Sequence, residues 1–353
     1  MSGDDTQALQ ARVNDSLAQG RQLRIEGGGS KSFYGQLITG EVLATQQHRG
    51  IINYESTELV LTARGGTPLS EIETTLAEHN QMLPFEPPHF GEAATLGGTI
   101  ACGLSGPRRP YVGSARDFVL GCRVLTGKGD VLHFGGEVMK NVAGYDVARL
   151  MTGAMGTLGV LLDISLKILP RPAAEVTVRL SMSPDKALQV MNHWAGQPVP
   201  LSAAVHDGES LFLRLSGATS AVTHAQQLIG GEPLPNGEDY WQSIREHTHP
   251  FFNDARPLWR LSLAPAQPPM VLEGDTLLDW GGAQRWLLSH EKPEVIRHAV
   301  QETGGHATLF RQHDIKAGIF HPLPNSLKQL HQRLKHAFDP GGILNPGRMY
   351  PDM

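Results

Sequence analysis

The sequence predicts an α+β protein built in two parts with a separate C-terminal segment, and three observations predict it. Residues 23–171 mix short strands with helices but show no regular βαβ repeat. Pro170-Arg-Pro172 then interrupts the pattern, and beyond it strand-like alternation and helical spacing follow one another in the order β-α-β-β-α-β. Last, a helix from about Ser326 to Phe338 stops at Asp339-Pro-Gly-Gly, and Ile343-Leu-Asn-Pro-Gly-Arg348 continues as an extended turn. These breaks divide the chain into residues 1–171, 172–315 and 316–353.

In the first part, Leu23-Arg-Ile25 reads as a short strand, and Ile51 to Tyr54 and Leu59 to Thr62 read as hairpin strands. Thr67 fits an N-cap and Pro68 a first helical residue, after which Leu69, Ile72 and Leu76 recur at helical spacing until Asn80. Cys122 to Phe134 reads as two strands joined by a Gly-Lys-Gly-Asp turn, and Asp146 to Met151 as a short helix. In the second part, Val176, Val178, Leu180 and Met182 alternate as a strand and Asp185 to Trp194 suits a helix. Strands at Ala203 to Val205 and Leu211 to Leu215 and a helix from Ala218 to Ile229 follow. Further strands near Leu258 to Leu263 and Thr308 to Phe310 flank a helix from Glu294 to Glu302, and residues 230–269 show no threadable pattern.

A chain of 353 residues with 40% hydrophobic content has the size of two domains. Its net charge of -5 gives no electrostatic reason to expect nucleic acid. The polar start Met1-Ser-Gly-Asp-Asp does not read as a targeting peptide, and no apolar run approaches the ~20 residues that span a bilayer. A cytoplasmic protein is expected, docked to a membrane at most through others. Its two cysteines, Cys102 and Cys122, are too few for a four-cysteine iron–sulfur cluster, so a cluster would need another chain. Cys102 is expected to be a small buried residue.

Chemistry concentrates in three glycine clusters: Gly27-Gly-Gly-Ser30-Lys-Ser32 directly after the first strand, Thr95-Leu-Gly-Gly-Thr99, and Gly153-Ala-Met-Gly156-Thr-Leu-Gly159-Val160. Such loops bring backbone N–H groups against an anionic ligand, and Ser30 and Lys31 add a hydroxyl and an ammonium suited to a pyrophosphate. A Rossmann site would need strand, Gly-x-Gly-x-x-Gly, then helix; no cluster satisfies that order, and no Walker motif is present. A phosphate-bearing cofactor held by neither scaffold points to a flavin.

These segments resemble the flavoprotein superfamily of vanillyl-alcohol oxidase and p-cresol methylhydroxylase, and within it the FAD-binding subunits of bacterial glycolate oxidase. The resemblance is carried by the three clusters, by Glu58 to Ser70, by Tyr111-Val-Gly113-Ser-Ala-Arg-Asp117, by Lys140-Asn-Val-Ala-Gly-Tyr-Asp146 and by Phe338 to Arg348. It implies a two-part FAD-binding domain plus a small ferredoxin-like cap, with the tail returning to the FAD domain. It places Gly27, Gly28, Gly29, Ser30 and Lys31 on the FAD pyrophosphate, Thr95, Leu96, Gly97, Gly98 and Thr99 on the diphosphate and ribityl chain, and Gly156, Thr157, Gly159 and Val160 along the adenosine and isoalloxazine, with Gly113 and Asn345 also at the site. A side chain at Gly98 is expected to collide with the cofactor at a left-handed backbone position. Asn345 has a second reading, as the residue that makes the Asn-Pro-Gly turn. Attachment is expected to be noncovalent, because members with a histidyl bond in the first loop carry His where this chain has Ser30 and Lys31.

Related 2-hydroxy acid dehydrogenases hold a metal on clustered histidines; here His247, His249, His331 and His336 lack ligand spacing, so no metal is expected. Weak candidates for substrate chemistry are Arg108 and Arg109, as a carboxylate clamp or a partner-docking loop, and Lys140 and Tyr145, as groups shaping the flavin environment. Three functions stay open: an FAD subunit of glycolate dehydrogenase working with a hydroxy-acid-oxidising FAD subunit and an iron–sulfur subunit, a self-sufficient hydroxy-acid oxidase, or a scaffold without catalysis.

Overall fold

The structure, a computed structural model, describes residues 3–136, 146–311 and 318–353. The weak candidates Lys140 and Tyr145 lie outside the described residues. The chain packs as two compact units: residues 1–104, 114–170 and 322–353 form the first, and 105–113 with 171–321 the second.

The first unit opens with α1 (Thr6–Gln19), which buries Leu9 and Val13 four residues apart and ends at the left-handed Gly20. Strands β1 (Leu23–Glu26) and β2 (Glu41–Ala44) pair in parallel, from Leu23 opposite Glu41 to Glu26 opposite Ala44. Next come β3 (Ile51–Glu55), β4 (Val60–Arg64), α2 (Leu69–Glu78), the short β5 (Gln81–Met82) and α3 (Leu96–Cys102). After α4 (Arg109–Val112), which belongs to the second unit, the chain returns with α5 (Ala115–Phe118), β6 (Val119–Leu125), β7 (Val131–Gly135), α6 (Val147–Met151), β8 (Val160–Lys167) and β9 (Leu169–Pro170). An antiparallel sheet orders β3-β4-β8-β6-β7. Its central strand β8 is buried along nearly its whole length, which is why its sequence reads as an apolar run rather than an alternation.

Helix α2 corrects the expected cap. Pro68, with extended backbone, is its N-cap, and the Thr67 hydroxyl instead accepts from the Gly50 N–H at 2.9 Å. Helix α3 is a larger departure, because it runs through Gly97 and Gly98, each costing roughly 1 kcal/mol against alanine. Thr95 holds its start by accepting from Gly98 N, and the fully buried Leu96 and Ile100 hold its inner face.

In the second unit, β10 (Ala174–Ser181), α7 (Pro184–Ala195), β11 (Leu201–His206), β12 (Ser210–Gly217), α8 (Thr219–Ile229) and β13 (Glu232–Pro233) give the strand order β13-β10-β12-β11. That is the ferredoxin-like arrangement. The sheet does not stop there. Beyond α9 (Gly237–Arg245), strands β14 (Leu258–Ser262), β15 (Asp275–Asp279), β16 (Gln284–Leu288), helix α10 (Pro293–Glu302) and β17 (His306–Arg311) extend it as β15-β16-β14-β17 to eight strands. Strand β16 shows no apolar alternation because its polar residues are buried and bonded. Gln284 Nε2 donates to Asp279 Oδ2 at 2.9 Å and Arg285 to the Pro268 carbonyl at 2.8 Å.

The sequence boundaries put residues 105–113 in the first part, but they pack within the second unit. The Trp280 indole donates to the Gly106 carbonyl at 3.0 Å, and Tyr111 packs against the core of Val178, Met191, Leu213 and Val222. His247 is a packing residue, stacked on Phe252 at 4.0 Å, and burial pushes its pKa well down. Helix α11 (Asn325–Phe338) closes the chain in the first unit. Among the described residues, no helix is long and apolar enough to cross a membrane.

Candidate cofactor-binding site

Strand β1 delivers the glycine loop to one wall of a cleft holding about 1020 Å³ of empty space open to solvent. The loop residues Gly27, Gly28, Gly29, Ser30 and Lys31 all line it. The opposite walls come from Thr95, Gly97 and Gly98 at the start of α3, and from Gly156, Gly159 and Val160 at the start of β8. Three clusters far apart in sequence thus converge on one space within the first unit.

The loop keeps its donors for a ligand. The backbone N–H groups of Gly28, Gly29 and Ser30 take no part in the backbone hydrogen bonds of the described residues. Buried Lys31 stands beside them, its ammonium 3.4 Å from Ser30 Oγ and 3.1 Å from the His89 carbonyl. N–H groups outside that network, a hydroxyl and a cation in one concave loop are the donor set that an anion calls for.

The glycines serve two purposes. A Cβ on Gly28 would overlap the Ala93 carbonyl, so this glycine sets how closely the first loop approaches the segment leading into α3. Gly156 has φ 72, and a Cβ there would come within 2.7 Å of Asn345 Nδ2. Gly98 departs from expectation, because its backbone is helical rather than left-handed, and a Cβ would meet only Thr95 Oγ1 at 3.2 Å. Any collision at Gly98 would be with a ligand, not with the fold.

The tail returns to this cleft. Ile343 and Leu344 flank β1: Leu23 N donates to the Ile343 carbonyl at 2.7 Å and Asn345 N to the Leu23 carbonyl at 3.0 Å. Asn345, left-handed at φ 42, accepts from Ile25 N at 2.8 Å and donates to the Met155 carbonyl at 2.7 Å. The turn reading of Asn345 holds, and the same residue lines the cleft and clamps the first and third glycine segments together. Arg348 crosses to the residues after the first loop, donating to the carbonyls of Gln36 (2.8 Å), Ser32 (3.0 Å) and Tyr34 (2.7 Å). Beneath the cleft, buried Lys335 of α11 donates to the carbonyls of Thr157 (2.8 Å) and Leu344 (2.6 Å) and to Asp339 (2.6 Å).

Asn345→Ala is expected to lower both flavin occupancy and melting temperature. It removes two hydrogen bonds of about 1 kcal/mol each and leaves a Cβ residue in left-handed backbone at roughly 1–2 kcal/mol more. Asn345→Gly keeps the backbone conformation without the bonds, so comparing the two variants by calorimetry and absorbance separates clamp from turn.

Other expected residues lie elsewhere. Leu96 and Thr99 are fully buried in α3 and Thr157 is buried with its hydroxyl on the Ala154 carbonyl; none lines the cleft. Gly113 ends α4 in the second unit. Arg108 is buried and ion-paired with Glu175 at 2.8 Å, and the Arg109 guanidinium sits 4.3 Å from the centre of the Trp280 ring. Sequence reasoning did not single out Leu37, Thr45, Ala101 or Met155 as cleft residues. Only Met155, left-handed within Gly153-Ala-Met-Gly156, carried a local signal. Cys102 also lines the cleft and is half-buried rather than buried as expected; desolvation there pushes its thiol pKa up against the pull of Lys31 and Arg348. Among the described residues, no three His, Cys, Asp or Glu side chains gather as metal ligands.

A family model described as an FAD binding domain matches residues 3–135, the stretch that supplies two of the three cleft walls. Along its whole length the chain is 49% identical to the glycolate oxidase subunit GlcE of Escherichia coli (strain K12), covering 99% of each. The chain belongs to the GlcE family. FAD is the cofactor of this chain, and the donor set of the cleft fits it: the loop suits a diphosphate, and the walls leave room for an extended dinucleotide. More distant sequence relatives match part of the chain. It is 30% identical to glycolate oxidase subunit GlcD of Bacillus subtilis (strain 168) over 39% of this chain and 29% of that one. Alkyldihydroxyacetonephosphate synthase shares the fold, with a TM-score of 0.67 at 15% identity over 96% of this chain and 75% of that one.

Proposed function

We propose that this chain is the FAD-bearing subunit of a multi-subunit glycolate dehydrogenase. The observation that carries the proposal is full-length identity of 49% to a glycolate oxidase subunit, joined to a glycine cleft with the donors of a flavin diphosphate site. Oxidation of glycolate to glyoxylate releases two electrons and two protons. FAD bound in the cleft supplies a two-electron acceptor that can pass electrons on singly. The chain's own residues bind and orient it: the N–H groups of Gly28 and Gly29 and the Ser30 hydroxyl take the diphosphate, Lys31 balances its charge, and Gly98, Gly156, Gly159 and Val160 line its path.

We propose noncovalent attachment. Ser30 and Lys31 occupy the first loop where a histidyl bond would need His, and desolvation raises the pKa of the Cys102 thiol, which disfavours the thiolate. An iron–sulfur partner is the acceptor we propose, since Cys102 and Cys122 are the only cysteines of the sequence. A hydroxy-acid-oxidising flavin subunit completes the assembly, which we place in the cytoplasm, meeting a membrane only through its partners.

The purified chain alone is expected to bind FAD, release it on acid precipitation, and show negligible glycolate:dye reductase activity. Activity is expected when the two partner subunits are co-expressed. Full turnover by the lone chain would establish a self-sufficient oxidoreductase instead.

A further inference from the structure

We infer that Arg348, besides tying the tail to the residues after the first loop, is a binding residue for the FAD diphosphate, and that its charge makes the cleft select phosphate-bearing flavins over neutral ones. This rests on the proposal that the loop from Gly28 to Lys31 takes the diphosphate.

Charge in the cleft is lopsided. Among the described residues, its charged lining consists of Arg24, Lys31 and Arg348 against one carboxylate, Glu26. Glu26 answers Arg24, at 3.3 Å. The lining as a whole thus carries two more positive than negative charges, on a chain whose net charge is -5. A flavin diphosphate brings two negative charges, which balances it.

Arg348 is held in place by neutral groups only. Its guanidinium donates to the carbonyls of Ser32, Tyr34 and Gln36, and among the described residues no carboxylate forms a salt bridge with it. Desolvation pushes its pKa down, and Arg24 adds to that push. A cation drawn out of water with only carbonyls as partners is costly, and an anion in the cleft offsets the cost. Donors remain for that anion, because a guanidinium has more N–H groups than three bonds use and Nε makes no hydrogen bond among the described residues. Gly35, left-handed at φ 94, gives the group room: a Cβ there would stand 3.2 Å from Arg348 Nε and 2.6 Å from Met155 Cε. Lys31 and Arg348 both pull on the Cys102 thiol, so the two cations bear on the same part of the cleft. Arg348 also bonds the carbonyl of Ser32, one residue past Lys31, which keeps its charge beside the anion-binding loop.

The test compares wild type, Arg348→Gln and Arg348→Lys as full-length chains loaded with FAD or with riboflavin, which has the ring and ribityl chain but no phosphate. Affinities are read from flavin fluorescence and folding from the melting temperature. Wild type is expected to prefer FAD. Arg348→Gln should cut the ratio of FAD to riboflavin affinity by about tenfold or more, the worth of a charge-assisted hydrogen bond. Loss from a loosened tail is common to both flavins and cancels in that ratio. Arg348→Lys gives up the fork of carbonyl bonds but keeps a point charge, so it should melt near Arg348→Gln yet retain most of the preference for FAD. An unchanged ratio in Arg348→Gln would make the residue a clamp alone and overturn the inference, as would an equal fall of the ratio in both variants. A shifted flavin midpoint potential in Arg348→Gln with the FAD preference intact would set the charge against the ring and equally overturn it. A wild-type chain that binds both flavins alike would instead remove the diphosphate proposal, and this inference with it.

Discussion

Gly28→Ala is expected to empty the protein of flavin and destabilise the first unit. Its new Cβ would overlap the backbone carbonyl of Ala93, so relief requires moving one of two main-chain segments rather than rotating a side chain. Overpacking of this kind costs roughly 1–3 kcal/mol in a well-packed region. The displacement also falls on the cleft itself, because Gly28 belongs to one wall and Ala93 leads into Thr95 of another. Each 1.4 kcal/mol taken from binding lowers affinity about tenfold, so the variant should purify with little colour at 450 nm. Gly98→Ala is the matched comparison. Its Cβ meets only a hydroxyl at 3.2 Å on a helical backbone, so folding should be unharmed and any flavin loss would report direct crowding of the ligand. If Gly28→Ala retained full flavin and the wild-type melting temperature, the glycine loop would not set the spacing of the walls.

The sequence made the cleft legible through its glycines, since runs such as Gly27-Gly-Gly-Ser30 have few structural uses away from a turn or a ligand. It could not reveal that Gly28 serves the meeting of two loops while Gly98 lies in a helix, because the same residue type answers both needs. Helices α7, α8 and α10 were legible because their buried faces follow the 3.6-residue period, as in Ala187, Leu188 and Met191 of α7. Helix α3 was not, since two glycines erase its propensity and only the Thr95 cap and the buried Leu96 and Ile100 restore it. Strands β15 and β16 escaped for the opposite reason: Asp279, Gln284 and Arg285 look like loop residues until their buried hydrogen bonds are seen. The tail shows both sides at once. Asn345-Pro-Gly347 announces a turn, but nothing local shows that Asn345 reaches Ile25 and Met155 or that Arg348 reaches the carbonyls after the first loop.

Lys335→Met should produce the largest loss of stability in the first unit. The lysine is 8% exposed and Asp339 1%, so the pair is removed from water and depends on its own bonds. Asp339 is well supplied, accepting from Ile343 N at 3.1 Å and Leu344 N at 2.8 Å as well as from Lys335. Methionine has nearly the shape of the lysine stem but leaves a buried carboxylate without its counter-charge and two carbonyls, Thr157 and Leu344, without this donor. Breaking one partner of a buried pair costs about 3–5 kcal/mol, which corresponds to a fall of roughly 6–20 °C in melting temperature for a unit of this size. The damage should reach the cofactor, since Leu344 lies beside β1 and precedes the Asn345 clamp. Flavin should therefore be lost together with stability. Combining Lys335→Met with Asp339→Asn removes the stranded charge and should recover part of the loss, a coupling that thermal unfolding of the four proteins measures directly. Additive losses with no recovery would mean that the pair is held apart by solvent and that the tail is anchored by Asn345 and Arg348 alone.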